Sequence, residues 1–299
     1  MRLSLVSQPN REKYTRLRPE VGFSREFRFL LMNALIISSL SIALYLVTTL
    51  LLAKRFVQAL DSPPVTRLAL ISLGLGAVIL HISVVQQSVF TTEGINLGIY
   101  SAASLIMALV SMLMLLASIK QPIENLGIVI LPIAAGALLF DNIFDTKHIL
   151  SNEYSGQLKL HIILSLFAYS LLTIAALQSI LLAIQDRQLR HKHPGGFMRV
   201  LPPMQVMESL LFQMITVGFI LLSMALMSGF IFLQDIFSQH LVHKSVLSII
   251  AWFVFAILLF GRWQAGWRGR TAIRWTLGGF VTLLLAYFGS KLVLEIILT

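Results

Sequence analysis

Residues 162–184 read IILSLFAYSLLTIAALQSILLAI, and wound as a helix they are apolar on every side. A helix at a protein–water boundary keeps one polar face; this one has none, so it belongs in hydrocarbon or in a protein interior. Its length also matches the roughly 20 residues needed to cross about 30 Å of bilayer core. Working outward from it, similar runs lie near 30–53, 67–88, 97–118, 126–144, 160–185, 208–233, 245–262 and 275–297. A spanning barrel would instead show alternating stretches of about ten residues. The fold class expected is therefore all-α, a polytopic transmembrane bundle of about eight helices. The run at 126–144 is the least regular, because Pro132 and Gly136 interrupt it and Asp141 closes it.

Composition says the same: 57% of the 299 residues are apolar and 12% charged, with mean hydropathy +0.84, which excludes a water-soluble chain. The absence of cysteine removes disulfides, thiolate metal sites and a cysteine nucleophile. A net charge of +10 would suggest nucleic acid in a soluble protein. Here the basic residues crowd the short connections, which points to anionic headgroups, and no nucleic-acid partner is expected. Connections after the first, third, fifth and seventh runs hold twelve Lys and Arg, among them Lys54, Lys120, Arg190 and Arg268; the opposite ones hold Lys147, Lys159 and Lys244. This asymmetry places the first set in the cytoplasm and both termini outside.

Residues 1–31 conflict with that orientation, since Arg2, Arg11, Lys13, Arg16, Arg18, Arg25 and Arg28 make the tail basic. It lacks the apolar stretch of a signal peptide. Two readings stand: translation starts at Met32, or the tail lies on the cytoplasmic surface with the first helix incompletely inserted. The domain expectation is thus a basic tail, 1–31, and one transmembrane domain, 32–299, without internal repeats.

Ionisable side chains within or at the ends of spans are costly in hydrocarbon and carry the functional signal. His191 and His193 fall in the basic stretch Arg187–Arg199 and read as a solvated, headgroup-facing segment. The other five lie toward the outer side: His81 about two turns from the end of the second run, His148 and His161 around the start of the fifth, and His240 with His243 before the seventh. Imidazole is a common axial ligand of haem iron. Against that stands the plainer role of an interfacial histidine bonded to a carbonyl or headgroup. Glu208, just after Leu201-Pro202-Pro203, reads as a helix N-terminal carboxylate. Lys291 and Glu295 read as an i, i+4 pair. Asp141, Asp145 and Glu153 form a solvated outer cluster with, at most, weak cation affinity. No GxxxxGK[ST], HExxH or GxSxG motif is present, so nucleotide hydrolysis, zinc proteolysis and serine hydrolysis have no support.

Several stretches are more particular: Leu160-His161 leading into the fifth run, Ala251-Trp252-Phe253-Val254-Phe255-Ala256-Ile257, Gly266-Trp267-Arg268-Gly269-Arg270 and Ala286-Tyr287-Phe288-Gly289. With Glu93-Gly94-Ile95-Asn96-Leu97-Gly98, Leu201-Pro202-Pro203, Met207-Glu208 and His243-Lys244, they resemble the cytochrome c assembly (CcsA/ResC/CcmC haem-handling) family of membrane proteins, nearest its YpjD-type inner-membrane branch. The likeness runs from about residue 32 to the end. It implies a protein of the bacterial cytoplasmic (inner) membrane that presents haem at the outer face for attachment to apocytochrome c, using two outer histidines around a Trp-rich segment. His161 matches the first histidine. The stretch Gln234–Lys244 has no Trp, no histidine follows Gly289, and Phe260-Gly261 stands where a further histidine is expected.

The expected function is haem binding or handling in cytochrome c assembly, either without substrate turnover or with a lyase-like hand-off of the haem. The expected cofactor is non-covalent, b-type haem. Cofactor-binding residues are His161 and His243 as the iron-ligating pair, with His81 and His240 in reserve, and Trp252 as packing. Expected partners are membrane lipids, other cytochrome c maturation components and apocytochrome c. The alternative is a haem-free accessory or scaffold protein of the same fold, for example one supporting an ion transporter.

Overall fold

The computed structural model describes residues 25–57, 66–91, 94–144, 149–151, 156–190, 201–232 and 242–289. Among the described residues, eight helices are long and apolar enough to cross a membrane, α4 counted with the turn before it and α8 with the turn after it: α1 (Arg25–Val57), α2 (Arg67–Val89), α3 (Ile99–Lys120), α4 (Gly127–Ile143), α5 (Gly156–Arg190), α6 (Met204–Phe232), α7 (Val242–Ala265) and α8 (Gly269–Leu284). A 3-10 turn, Glu124–Leu126, leads into α4, and a π turn, Leu285–Gly289, extends α8. The all-α bundle inferred from the apolar runs is what the chain forms. Short strands β1 (Phe90–Thr91), β2 (Gly94–Asn96) and β3 (Ile149–Ser151) add a small antiparallel sheet, with Thr91 opposite Gly94 and Asn96 opposite Ile149. Pieces this short carry no periodicity to read in a sequence.

Several threonines in the spans donate their hydroxyls to carbonyls of their own helices, which lets them sit in an apolar medium. Thr48 donates to the Leu44 carbonyl, Thr173 to Tyr169, Thr216 to Phe212 and Thr276 to Ala272, each at 2.8 Å or less. α4 continues unbroken through Pro132; the ring removes one helical donor, a loss that membrane helices tolerate where neighbours pack around it.

The helices form two rings. α1 packs on α2 and α4, and α3 closes that ring against the same two; α5 packs on α6 and α8, and α7 closes the second. α3 and α5 join them. Large apolar side chains such as Leu50, Ile79, Ile231 and Phe260 cover the outer surface, as contact with lipid requires.

One end of the bundle gathers ion pairs. Arg67 at the start of α2 reaches the carbonyls of Ser118 in the last turn of α3 and of Gln121 just past it, and pairs with Glu124 at 3.2 Å. Asp186 near the end of α5 pairs with Arg190 and Arg270, and Glu208 with Arg262 and Arg268. The reading of Glu208 as a helix cap is corrected here. α6 begins four residues earlier, at Met204, directly after the two prolines, so Glu208 lies a full turn inside and its buried carboxylate is neutralised by arginines instead.

Candidate functional site

An apolar cavity of about 240 Å³ lies in the second ring, lined by residues of α5, α6, α7 and α8 and the π turn, with Leu97 and Ile106 from the first half of the chain. His161, Ser165, Tyr169, Lys244, Ser248 and Tyr287 are its polar members.

His161 is one turn and a half into α5, and its Nδ1 lies 2.9 Å from the carbonyl oxygen of Ala225 and 3.1 Å from Ser228 Oγ on α6. A carbonyl only accepts, so Nδ1 carries the proton and the neutral ring has its lone pair on Nε2. Ser228 supports the arrangement, because its hydroxyl donates to the same Ala225 carbonyl at 2.7 Å and can accept from Nδ1–H. Nε2 has no hydrogen-bond partner among the described residues. A backbone carbonyl holding one nitrogen while the other stays basic is how metal-binding histidines are commonly oriented.

The cavity's far wall is aromatic. The π turn, formed by the Ala286-Tyr287-Phe288-Gly289 segment, brings Ala286 and Tyr287 to the cavity. It also sets Tyr287 and Phe288 against Tyr169, with ring centroids 6.1 and 5.9 Å apart. Single π turns recur at functional sites. Trp252 stacks on Phe219 at 5.4 Å and donates its indole N–H to Ser223 Oγ at 2.7 Å, so it packs α7 on α6.

The second histidine named from sequence, His243, is the second residue of α7, and the next residue, Lys244, lines the cavity. The side chain of His243, and all of His240, His148, His191 and His193, lie outside the described residues, as do Asp145, Glu153, Lys291 and Glu295. Asp141 accepts hydrogen bonds from Ser101 at 2.7 Å and Ser88 at 3.1 Å. No group of three or more His or carboxylate side chains suited to a metal ion occurs among the described residues.

His81 stands apart. It lies fully buried in the first ring, with Nδ1 3.0 Å from the Tyr45 hydroxyl and Nε2 3.0 Å from Ser104 Oγ. Both nitrogens are engaged, and the ring ties α1, α2 and α3 together.

The Gly266-Trp267-Arg268-Gly269-Arg270 segment is the α7–α8 turn. Gly266 and Gly269 take φ values of +61° and +54°, which side-chain-bearing residues rarely adopt. The turn folds Trp267 back onto α7, where its backbone N–H donates to the Gly261 carbonyl at 3.1 Å. A Cβ on Gly261 would lie 2.4 Å from the indole. The glycine found where the resemblance leads one to expect histidine nearby is thus the seat of Trp267.

A family model described as cytochrome c assembly protein matches residues 68–298. The chain belongs to the cytochrome c assembly protein family. Among curated relatives of this family, the inner membrane protein YpjD of Escherichia coli (strain K12) is 36% identical over 211 residues, covering 69% of this chain and 78% of that protein. The cytochrome c biogenesis protein CcsA of Synechococcus sp. (strain CC9902) is 25% identical over 161 residues, 46% of this chain and 53% of CcsA. CcsA of Parasynechococcus marenigrum (strain WH8102) is 27% identical over the same length. No solved structure matches the chain. Family membership and eight apolar spans make this a multi-pass protein of the inner membrane.

Proposed function

We propose that this member of the cytochrome c assembly family handles haem, held non-covalently at the outer side of the membrane, and that His161 would bind its iron. The observation that carries the reading is the fixed His161 tautomer: Nδ1–H is bound to Ala225, leaving basic Nε2 on a side chain that lines an apolar cavity.

The residues present fit such a group in kind. Leu166, Leu222, Leu226 and Leu283 give apolar walls, Tyr169 and Tyr287 an aromatic one, and Lys244 a cation suited to a carboxylate of the ligand. About 240 Å³ falls below the roughly 300–1,000 Å³ of pockets that engulf a drug-sized molecule. The cavity therefore suits one edge of a macrocycle. Bound there, haem would supply a redox-active iron and the vinyl groups to which an apocytochrome is joined. The protein's own part is to orient the imidazole, exclude water and neutralise a carboxylate. His243 is the proposed second ligand because it directly precedes Lys244, and His240 remains its reserve. His81 is left out, since neither nitrogen is available without breaking a bond to Tyr45 or Ser104.

The absence of Trp from 234–244 favours one other reading, a haem-free accessory protein of the same fold. An absorption spectrum of purified protein given haem separates them. The expected outcome is a Soret band, at least tenfold weaker haem affinity in His161→Ala and in His243→Ala, and no change in His191→Ala. Absence of the band in the parent protein would establish the haem-free reading.

A further inference from the structure

The ion-pair end of the second ring holds more arginine than its carboxylates need. Asp186 and Glu208 are largely buried, at 14% and 6% side-chain exposure, and each is shared by two arginines: Arg190 and Arg270 on the first, Arg262 and Arg268 on the second. Arg190, Arg268 and Arg270 stay more than half exposed. A guanidinium carries five N–H donors, so a single carboxylate contact leaves most of the forks of Arg190, Arg268 and Arg270 open, whereas Arg262 also bonds the Trp267 carbonyl and lies over the Phe212 ring. Arg187 and Arg274 add charge at the same helix ends and have no ion pair among the described residues. Six guanidinium groups against two carboxylates leave four positive charges on ends brought together by the α5–α8 and α6–α7 contacts.

The carboxylates act as anchors in this arrangement. They sit inside and fix the root of each pair, while the exposed faces are free to bind an anion of phosphate geometry, which arginine recognises bidentately. Depth is set by the neighbouring aromatic residues. Trp263, 78% exposed, and Phe260, 60% exposed, touch edge-to-face near the end of α7. Large exposed aromatic rings of this kind mark the headgroup level of a bilayer. The cationic surface therefore adjoins lipid, and an occupant would have a phosphate for the arginines and acyl chains for the apolar flank of α7 around Phe253 and Ile257.

We infer that the arginines at the ends of α5, α7 and α8, anchored on Asp186 and Glu208, form a binding site for an anionic phospholipid, distinct from the histidine cavity at the opposite end. The site requires both a negative phosphate and a lipid body. A zwitterionic lipid has its charge cancelled, and free phosphate lacks the chains.

The test uses the full chain purified in a neutral detergent, with thermal unfolding followed while phosphatidylglycerol, phosphatidylcholine or inorganic phosphate is added. Phosphatidylglycerol should raise the unfolding temperature saturably, and the other two should not. Arg268→Gln/Arg270→Gln/Arg274→Gln should weaken the phosphatidylglycerol effect at least tenfold in midpoint concentration, and Arg274→Gln alone, which leaves both anchored pairs intact, by about threefold. Lys120→Gln, on the first ring, should change nothing. Equal stabilisation by phosphatidylcholine, equal stabilisation by phosphate, or the same loss in Lys120→Gln would overturn the proposal, pointing respectively to a generic lipid effect, a free-anion site and diffuse charge. None of these readouts depends on haem.

Discussion

Gly278 and Gly279 are neighbours on α8 in opposite surroundings. A Cβ on Gly278 would meet nothing within 4 Å, whereas one on Gly279 would lie 2.9 Å from Phe255, a fully buried ring of α7. Alanine gains about 1 kcal/mol over glycine in a helix, while overpacking a filled interior costs about 1–3 kcal/mol. Gly278→Ala should then leave stability equal or raised by up to about 1 kcal/mol, and Gly279→Ala should lower it by about 1–2 kcal/mol. Reversible unfolding in mixed micelles checks both, and equal behaviour of the two would mean that α7 and α8 do not pack at this register. Nothing in a single sequence tells these glycines apart, because the distinction is made by a ring on another helix. Glu208 teaches the same thing: the prolines before it suggested a cap, and its real partners, Arg262 and Arg268, are 54 and 60 positions away. The place of His161 near the start of a span is readable from sequence; the bond of its Nδ1 to Ala225 on another helix is not.

At the level of elements, helix existence followed from apolar runs and helix ends did not. The last apolar run begins at 275, whereas α8 starts at Gly269, since the two positive-φ glycines reverse the chain at once and Arg268 and Arg270 find carboxylates. α5 reaches from Gly156 to Arg190, and at about 1.5 Å per residue it outruns the hydrocarbon core, which allows Asp186 and Arg190 to lie at headgroup level. The tie among α1, α2 and α3 is a further element-level feature, with Tyr45, His81 and Ser104 buried and hydrogen-bonded in series. Interhelical hydrogen bonds in membrane proteins average about 0.6 kcal/mol and reach about 1.7. Tyr45→Phe and Ser104→Ala should each cost about 0.6–1.7 kcal/mol. The double variant should cost less than their sum if His81 relays the two bonds as one network. Strict additivity in that cycle would show two independent contacts. Haem uptake should be unaffected in all three, as this network belongs to the other ring.

Across the whole molecule the two ends differ in chemistry, and the difference fixes how it sits in the membrane. One end gathers Arg67, Arg190, Arg262, Arg268 and Arg270 on three carboxylates; the other carries the small sheet, Asp141 with its serines, and the mouth of helix α5 near His161. Cytoplasmic connections retain Lys and Arg, so the expected orientation has the arginine end in the cytoplasm, α5 and α7 running inward, and His161 with Lys244 toward the outside. That orientation is a requirement of the proposed function, because haem presented to an apocytochrome must be reached from outside. Since the chain has no cysteine, a single introduced thiol reports without background. Gln157→Cys at the exposed start of α5 should react with an impermeant maleimide in intact cells, and Gln264→Cys at the exposed end of α7 should react only after the membrane is opened. The reverse pattern would place the histidine cavity on the cytoplasmic side and remove the haem proposal, while leaving the fold and the arginine site as described.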